Sequence, residues 1–469
     1  MTAEVTTRTG VSFSGEAVDQ LAASVRGDVI PPWHPAYDDA RTVYNAMIDK
    51  HPALVIKCAD VADVIAGVNF AREQGLPVAV RGGGHNAAGL GTCDNGVVLD
   101  LSRMNSVHVN PKSRTVRVEG GATAGDVDHA TQPFGLAVPT GIISTTGVGG
   151  LALGGGFGYI SRAFGLTTDN ILSADIVTAD GSFVTASTNE HPDLFWAIRG
   201  GGGNFGVVTS FEFQAHPVGL VTAGVLFYDL ERAGDLMRLY REFIKDAPRE
   251  LALFFGYLMT PPAPFIPEEL HMKNMAKIVL CYNGPEEEAN RVIQPFLDME
   301  PALNLVGPMP FNVWNSMFDA LFPPGRHDYW KADYANDITD EMIDIHLEYG
   351  PRMPNPSSVM HIYSVNGAIQ DVGNNETAYN YRDATFCHVI LTTDDDPSRM
   401  PDHIAFTKSY WEALRPHGAG GAYVNFMMDE GADRVQATYR DNYPRLQKIK
   451  AKYDPDNVFR INQNIKPQG

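Results

Sequence analysis

Apolar residues at intervals of three and four mark Asp60–Gln74 as an amphipathic helix, with Val61, Val64, Ile65, Val68 and Phe70 on one face. Ahead of it Ala53–Lys57 reads as a strand. Gly75 ends the helix, and the apolar, β-branched Leu76–Val80 reads as a buried strand. The unit is β–α–β, and its second strand runs straight into Gly82, Gly83 and Gly84. Short strands follow at Gly96–Leu101, Ser106–Asn110 and Thr115–Glu119, then a helix at Ala124–Gln132. Ser173–Ser187 predicts a β-hairpin turning at Asp180 and Gly181, and Val207–Gln214 alternates as a strand. Nearer the start, Phe13–Val25 predicts a short helix broken by Gly27–Pro32, and Asp38–Ile48 a helix edge around Tyr44 and Asn45.

Near His216 and Pro217 the pattern changes to fewer glycines and more aromatics. Strands are predicted at Ala223–Tyr228, Leu251–Leu258, Ala276–Tyr282, Ser358–Tyr363 and Thr385–Leu391, with helices at Ala233–Lys245, Pro285–Met299, Asp337–Tyr349 and Pro401–Arg415. The mixture predicts an α+β insert with a mostly antiparallel sheet. The last fifty or so residues return to the earlier style, with a helix at Asp441–Lys452 closed by Tyr453-Asp454-Pro455. The expected division is therefore 1–215, an insert 216–420, and a return segment 421–469.

Length supports that division, since 469 residues exceed what one core usually organises. The net charge of −20 argues against nucleic acid or an anionic membrane surface as partner. No apolar run reaches the roughly 20 residues of a membrane helix. Met1–Gly10 lacks the charged and apolar regions of a signal peptide, which makes a cytoplasmic protein the expectation. Cys58, Cys93, Cys281 and Cys387 are scattered in apolar contexts and read as buried free thiols, without metal-site spacing.

The glycines carry the chemistry. In Val78–Asn86 (VAVRGGGHN) three glycines leave backbone N–H groups open to an anion, Arg81 adds a positive charge, and His85 supplies a nucleophilic nitrogen. Thr140–Gly158 places Gly147, Gly149, Gly150, Gly154, Gly155, Gly156 and Gly158 among apolar anchors, a density that reads as a ligand-lining loop rather than a helix or a polar linker. Ala197–Thr209 contains a formal G-x-G-x-x-G at Gly201, Gly203 and Gly206, but a strand follows it instead of a helix, so the dinucleotide fingerprint fails. No G-K-[ST] is present, which excludes a Walker loop. Three such loops imply one extended cofactor whose pyrophosphate rests on backbone N–H groups.

Taken together, Arg81–Asn86, Gly147–Gly158, Leu166–Asn170, Arg199–Thr209 and Tyr453–Pro467 resemble the berberine-bridge-enzyme-like FAD-linked oxidoreductases of the vanillyl-alcohol-oxidase superfamily. Pro31–Asn45 and Tyr443–Lys450 also fit, so the resemblance spans nearly the whole chain. It implies a PCMH-type FAD-binding domain of two α/β subdomains, with the insert over the flavin. It implies FAD bonded covalently through His85. It further implies cofactor contacts from Arg81, Gly82, Gly83, Gly84, Asn86, Gly89, Thr140, Gly141, Thr146, Gly147, Gly149, Gly150, Gly154, Gly155, Gly158, Asn170, Gly203, Gly206, Val207 and Val208. Amides Asn425, Asn462, Gln463 and Asn464 return to the flavin in this family. Many members carry a second attachment through a cysteine where this chain has Ile143, so a single link is expected. Thr146 falls where an apolar residue often governs oxygen access.

The expected reaction is oxidation of a small-molecule alcohol or amine (a sugar, alkaloid or aromatic metabolite), with O2 as acceptor. A dehydrogenase with another acceptor and a flavin-binding protein with little turnover are the alternatives. Members often place the base at a tyrosine where this chain has Phe426. Tyr423 is then a candidate, although strand alternation would point it away from Phe426. His361 and Tyr363 are candidates from the insert, where Tyr329, Lys331, Tyr334, Asn366, His327 and Asp328 also offer polar groups.

Overall fold

The computed structural model describes residues 4–6 and 12–468. Most of Met1–Gly10, where the sequence lacks a leader pattern, lies outside the described residues.

The β–α–β unit forms a four-stranded sheet in the order Asp28–Ile30, Leu54–Lys57, Val97–Asp100, Val78–Arg81. The last three strands are parallel and the first is antiparallel. Its helix, Val61–Glu73, starts at Asp60, whose carboxylate accepts from the N–H groups of Ala62 and Asp63. A second, antiparallel sheet orders Phe183–Ser187, Ile171–Val177, Val207–Gln214, Thr115–Glu119 and Val107–Asn110.

From residue 220 to 394 the chain builds an eight-stranded antiparallel sheet. Its central order is Leu220–Tyr228, Asn274–Tyr282, Leu251–Met259, Val359–Ser364, Phe386–Asp394, His327–Ala335. One face packs on Ala233–Asp246, Glu286–Leu297, Asp340–Tyr349 and Met400–Leu414 through Leu236, Tyr240, Ile293, Phe296, Ile343 and Tyr410. The opposite face turns toward the glycine loops and carries Val225, Phe254, Val279, Val359, Tyr363 and Val389.

The final segment packs back onto the earlier sheets. Ala422, Val424, Tyr439, Leu446, Ile449 and Ile465 join the core of the five-stranded sheet, and Val458 and Phe459 that of the four-stranded one. Buried Lys450 fastens it by donating to Asp454 and to the carbonyls of Asn204 and Phe459. All four cysteines are buried and free. Among the described residues no helix is long and apolar enough to cross a membrane.

Three local expectations need correction, and one strand was not foreseen. The first helix runs only from Gly15 to Ser24, because Ser14 caps it while Phe13 lies in a short strand. Only Tyr37–Arg41 of Asp38–Ile48 and its flank is helical, and Tyr44 lies beyond the helix. Val148–Gly154 is a short helix within the second glycine region, because small residues let its backbone approach Gly120. The strand His327–Ala335 was not among those predicted: Trp330, Ala332 and Tyr334 alternate along it toward the apolar side, while the charged residues between them, Lys331 and Asp333, pair with Glu430 and Arg434.

Candidate active site

Two glycine loops meet backbone to backbone. A Cβ at Gly83 would lie 2.4 Å from the Gly147 nitrogen, and one at Gly147 would lie 2.2 Å from the Gly83 nitrogen. Neither neighbour can rotate away, because both contacts are main chain. Gly84 adopts φ +70°, which suits glycine. Among the described residues the N–H groups of Gly83 and Gly84 donate to no protein acceptor. Gly83 and Gly150 are exposed toward the cavity between the loops, and a Cβ at Gly150 would meet nothing within 4 Å. Open amides and bare glycine surface form a cradle suited to a pyrophosphate-bearing group.

Arg81 does not leave its charge free for that group. Its guanidinium is buried and donates to Asp100 (2.9 Å) and to the carbonyls of Ala40 (2.6 Å) and Thr42 (2.9 Å). It therefore ties the end of the Val78–Arg81 strand to the segment leading into Tyr44. The Tyr44 hydroxyl donates to the Phe322 carbonyl, and the Tyr44 N–H donates to that of Gly84.

Tyr44 stacks on His85, with ring centroids 4.2 Å apart and planes 27° apart. His85 Nε2 lies 3.0 Å from Thr145 Oγ1 on the second glycine loop. The half-buried ring faces the cavity, and loss of solvent lowers its pKa to about 4. The imidazole is therefore neutral and fixed at neutral pH.

The sheet side of the cavity is largely apolar: Phe157, Trp330, Val359, Val389, Leu391 and Phe426 line it. His361 and Tyr363 stand two residues apart on the same face of one strand, with His361 Nδ1 2.7 Å from the Tyr363 hydroxyl. Burial raises the Tyr363 pKa and lowers that of His361, so both are neutral near pH 7. Tyr423 also lines the cavity; its oxygen accepts from the Gly156 N–H (2.6 Å) and from Asn425 Nδ2 (2.7 Å). Burial raises its pKa too. Val424–Phe426 is a 3₁₀ turn rather than a strand, so Tyr423 and Phe426 share one side and their rings touch at 4.9 Å.

Of the residues singled out in the sequence, Gly82, Gly83, Gly84, His85, Asn86, Gly141, Thr146, Gly147, Gly149 and Gly150 converge on this cavity with Arg81. Gly203, Gly206, Val208, His361, Tyr363, Tyr423, Asn425, Asn462 and Gln463 complete the set. Gly89, Thr140, Gly154, Gly155, Gly158, Asn170, Val207 and Asn464 lie outside the lining. Several of these hold the loops: Asn170 donates to Phe164 and Leu166 carbonyls, and Gly154 leaves room for Asn425. Tyr329, Lys331, Tyr334, Asn366, His327 and Asp328 do not line it either. Lys331 pairs with Glu430, Tyr334 bonds Tyr379, and Asn366 holds Arg162. Tyr44, Phe157 and Trp330 are wall residues that the sequence did not single out; aromatic character in short loops and a polar strand was their only signal.

The chain matches the family model of the FAD binding domain over residues 52–187 and the model described as berberine and berberine like over residues 422–466. It is 30% identical over 452 residues to an uncharacterized FAD-linked oxidoreductase of Bacillus subtilis, covering 94% of this chain and 97% of that one. It is 29% identical to (R)-6-hydroxynicotine oxidase of Paenarthrobacter nicotinovorans, covering 95% and 98%. Among solved structures, 6-hydroxy-D-nicotine oxidase from Arthrobacter nicotinovorans superposes with a TM-score of 0.85 at 25% identity, over 95% of this chain and 99% of that one.

Proposed function

Because the chain belongs to the berberine and berberine-like family of FAD-linked oxidoreductases, we propose that it is an oxidase with one covalent flavin link, through His85, acting on a small aromatic or heteroaromatic alcohol or amine. The observation that carries this reading is the neutral, immobilised His85 ring at the junction of two open glycine loops. With Nε2–H donated to Thr145 Oγ1, Nδ1 keeps its lone pair and is the nitrogen that would attack. Ile143 lines the cavity without a thiol, which supports one link rather than two.

FAD bound there supplies a two-electron acceptor for a substrate C–H bond and then a donor to O2, giving hydrogen peroxide. The protein's own task is to hold the substrate and take a proton. Phe157, Trp330, Val389, Leu391 and Phe426 offer flat apolar surface but few hydrogen bonds, which favours a ring-shaped ligand over a sugar. Phe426 has no proton to exchange. Tyr423 accepts two hydrogen bonds and has no adjoining base, which suits it to positioning the Gly156 turn. Tyr363 touches His361 and lies 6.1 Å, ring to ring, from Phe426. We therefore assign Tyr363 as the group that receives the substrate proton, with His361 behind it.

The test exposes flavin-loaded protein in air to nicotine-like heterocycles, benzylic alcohols and oligosaccharides while peroxide is measured. One peroxide per oxidised aromatic substrate is expected. Bleaching of the flavin without peroxide would instead support a dehydrogenase, a reading favoured by polar Thr146 in the cavity wall.

A further inference from the structure

Lys277 lies on the Asn274–Tyr282 strand, on the cavity-facing side with Met275, Val279 and Cys281. The residue is 4% exposed, yet its side chain makes no hydrogen bond or ion pair among the described residues. Gly256 pairs with Lys277 on one side and with His361 on the other. A Cβ at 256 would lie 2.6 Å from His361 Cδ2 and 3.1 Å from Lys277 Cε, so the two side chains converge over the glycine. His361 Nε2, the atom bonded to Cδ2, is buried without a partner. A buried lysine side chain without a polar partner thus meets, over Gly256, a ring whose Nε2 is buried and unpaired, and its charge acts on that ring, a costly arrangement for structure alone.

We propose that Lys277 is a positioning residue that completes a Tyr363–His361–Lys277 proton relay, with its amine as the terminal acceptor. The inference rests on the flavoenzyme reading above. The substrate hydroxyl or amine proton passes to the Tyr363 oxygen as the Tyr363 proton passes to His361 Nδ1. The proton on His361 Nε2 then passes to Lys277 Nζ. Tyrosine and histidine finish neutral, histidine in its other tautomer, and lysine finishes as ammonium. The electron pair of the broken C–H bond leaves with its hydrogen to the flavin, and the carbon–oxygen or carbon–nitrogen double bond forms.

Burial lowers the Lys277 pKa to about 7, so the amine is available as an acceptor at neutral pH and above. Tyr159, Cys281, Cys387, Tyr334, Tyr379 and Tyr423 on this side are each raised by burial and therefore neutral. No carboxylate acts on Lys277 among the described residues.

The experiment is ¹⁵N-histidine NMR of the flavin-loaded protein across a pH range bracketing neutrality, with His361 assigned by His361→Asn. His361 is expected to carry its proton on Nε2 above about pH 7 and on Nδ1 below it, as Lys277 takes up a proton. Lys277→Met should abolish the switch, and Lys277→Arg should hold the Nδ1–H form throughout. A wild-type His361 that keeps one tautomer on both sides of neutrality overturns the relay, as does a switch that survives Lys277→Met. Where Lys277→Met fails to fold, the wild-type titration and Lys277→Arg decide. Flavin absorbance of the same samples separates the two readings: loss of colour counts against the flavoenzyme assignment, and a fixed tautomer in yellow protein counts against the relay alone.

Discussion

Replacing Arg81 by methionine removes the cation that joins the Val78–Arg81 strand to the Ala40–Thr42 segment while keeping most of the apolar stem. The Arg81 and Asp100 side chains are 8% and 6% exposed, so the pair is screened little by solvent. Losing the guanidinium leaves Asp100 as an unpaired buried carboxylate and strips a donor from the carbonyls of Ala40 and Thr42. Breaking one partner of a buried pair costs about 3–5 kcal/mol, and that is the expected loss in urea unfolding followed by tryptophan fluorescence. The same change frees the segment that seats Tyr44 on His85, so the fraction of chains carrying flavin should fall as well. The double variant Arg81→Met/Asp100→Leu removes both charges and should lose less than the two single variants together. A single-variant loss under about 1 kcal/mol, well below the buried-pair range, or strict additivity in the double variant, would refute this account of the pair.

Gly147→Ala should abolish flavin loading while the chain still folds, because the new methyl would overlap the Gly83 main chain and push the loops apart; yellow protein at wild-type yield would contradict this. Tyr423→Phe removes the acceptor of the Gly156 N–H and of Asn425, and should cost about 1–3 kcal/mol by the usual penalty for a stranded buried donor, with the thermal midpoint as readout. Lys277→Met should raise stability at neutral pH. The lysine pKa falls from about 10.4 unfolded to about 7 folded, so the folded state binds fewer protons between those values and stability is lost as pH drops through that window. Removing the group relieves up to about 4–5 kcal/mol at 1.36 kcal/mol per pH unit, and a neutral-pH stability unchanged by the substitution would sink the point.

Much of this fold was legible because its signals are local. The 3.6-residue spacing of Val61–Phe70 and the Asp180-Gly181 turn each specify an element within a dozen residues. The glycine loops stood out by density alone; that Gly83 and Gly147 are needed for the close approach of two main chains, and Gly149 for that to Gly120, is visible only in the fold. What escaped depends on contacts distant in sequence. In the His327–Ala335 strand the charges of Lys331 and Asp333 mask the alternation of Trp330, Ala332 and Tyr334, and those charges are met by Glu430 and Arg434 about a hundred residues on. Arg81 looked like a free cation because Asp100, its partner, is 19 residues away. Tyr44 gained its role through stacking on a ring 41 positions downstream, which no local pattern carries. Lys277 did leave a trace, a single charge inside the apolar run Met275–Tyr282, but its meaning rests on Gly256 and His361 in neighbouring strands.

Intact-protein mass under denaturing conditions reads out whether His85 carries the flavin. The wild type should be heavier than its bare chain by one FAD and no more, and His85→Ala should show the bare mass even when FAD is supplied. A yellow wild type whose denatured mass equals the bare chain, or a His85→Ala variant that keeps the added mass, would contradict the account.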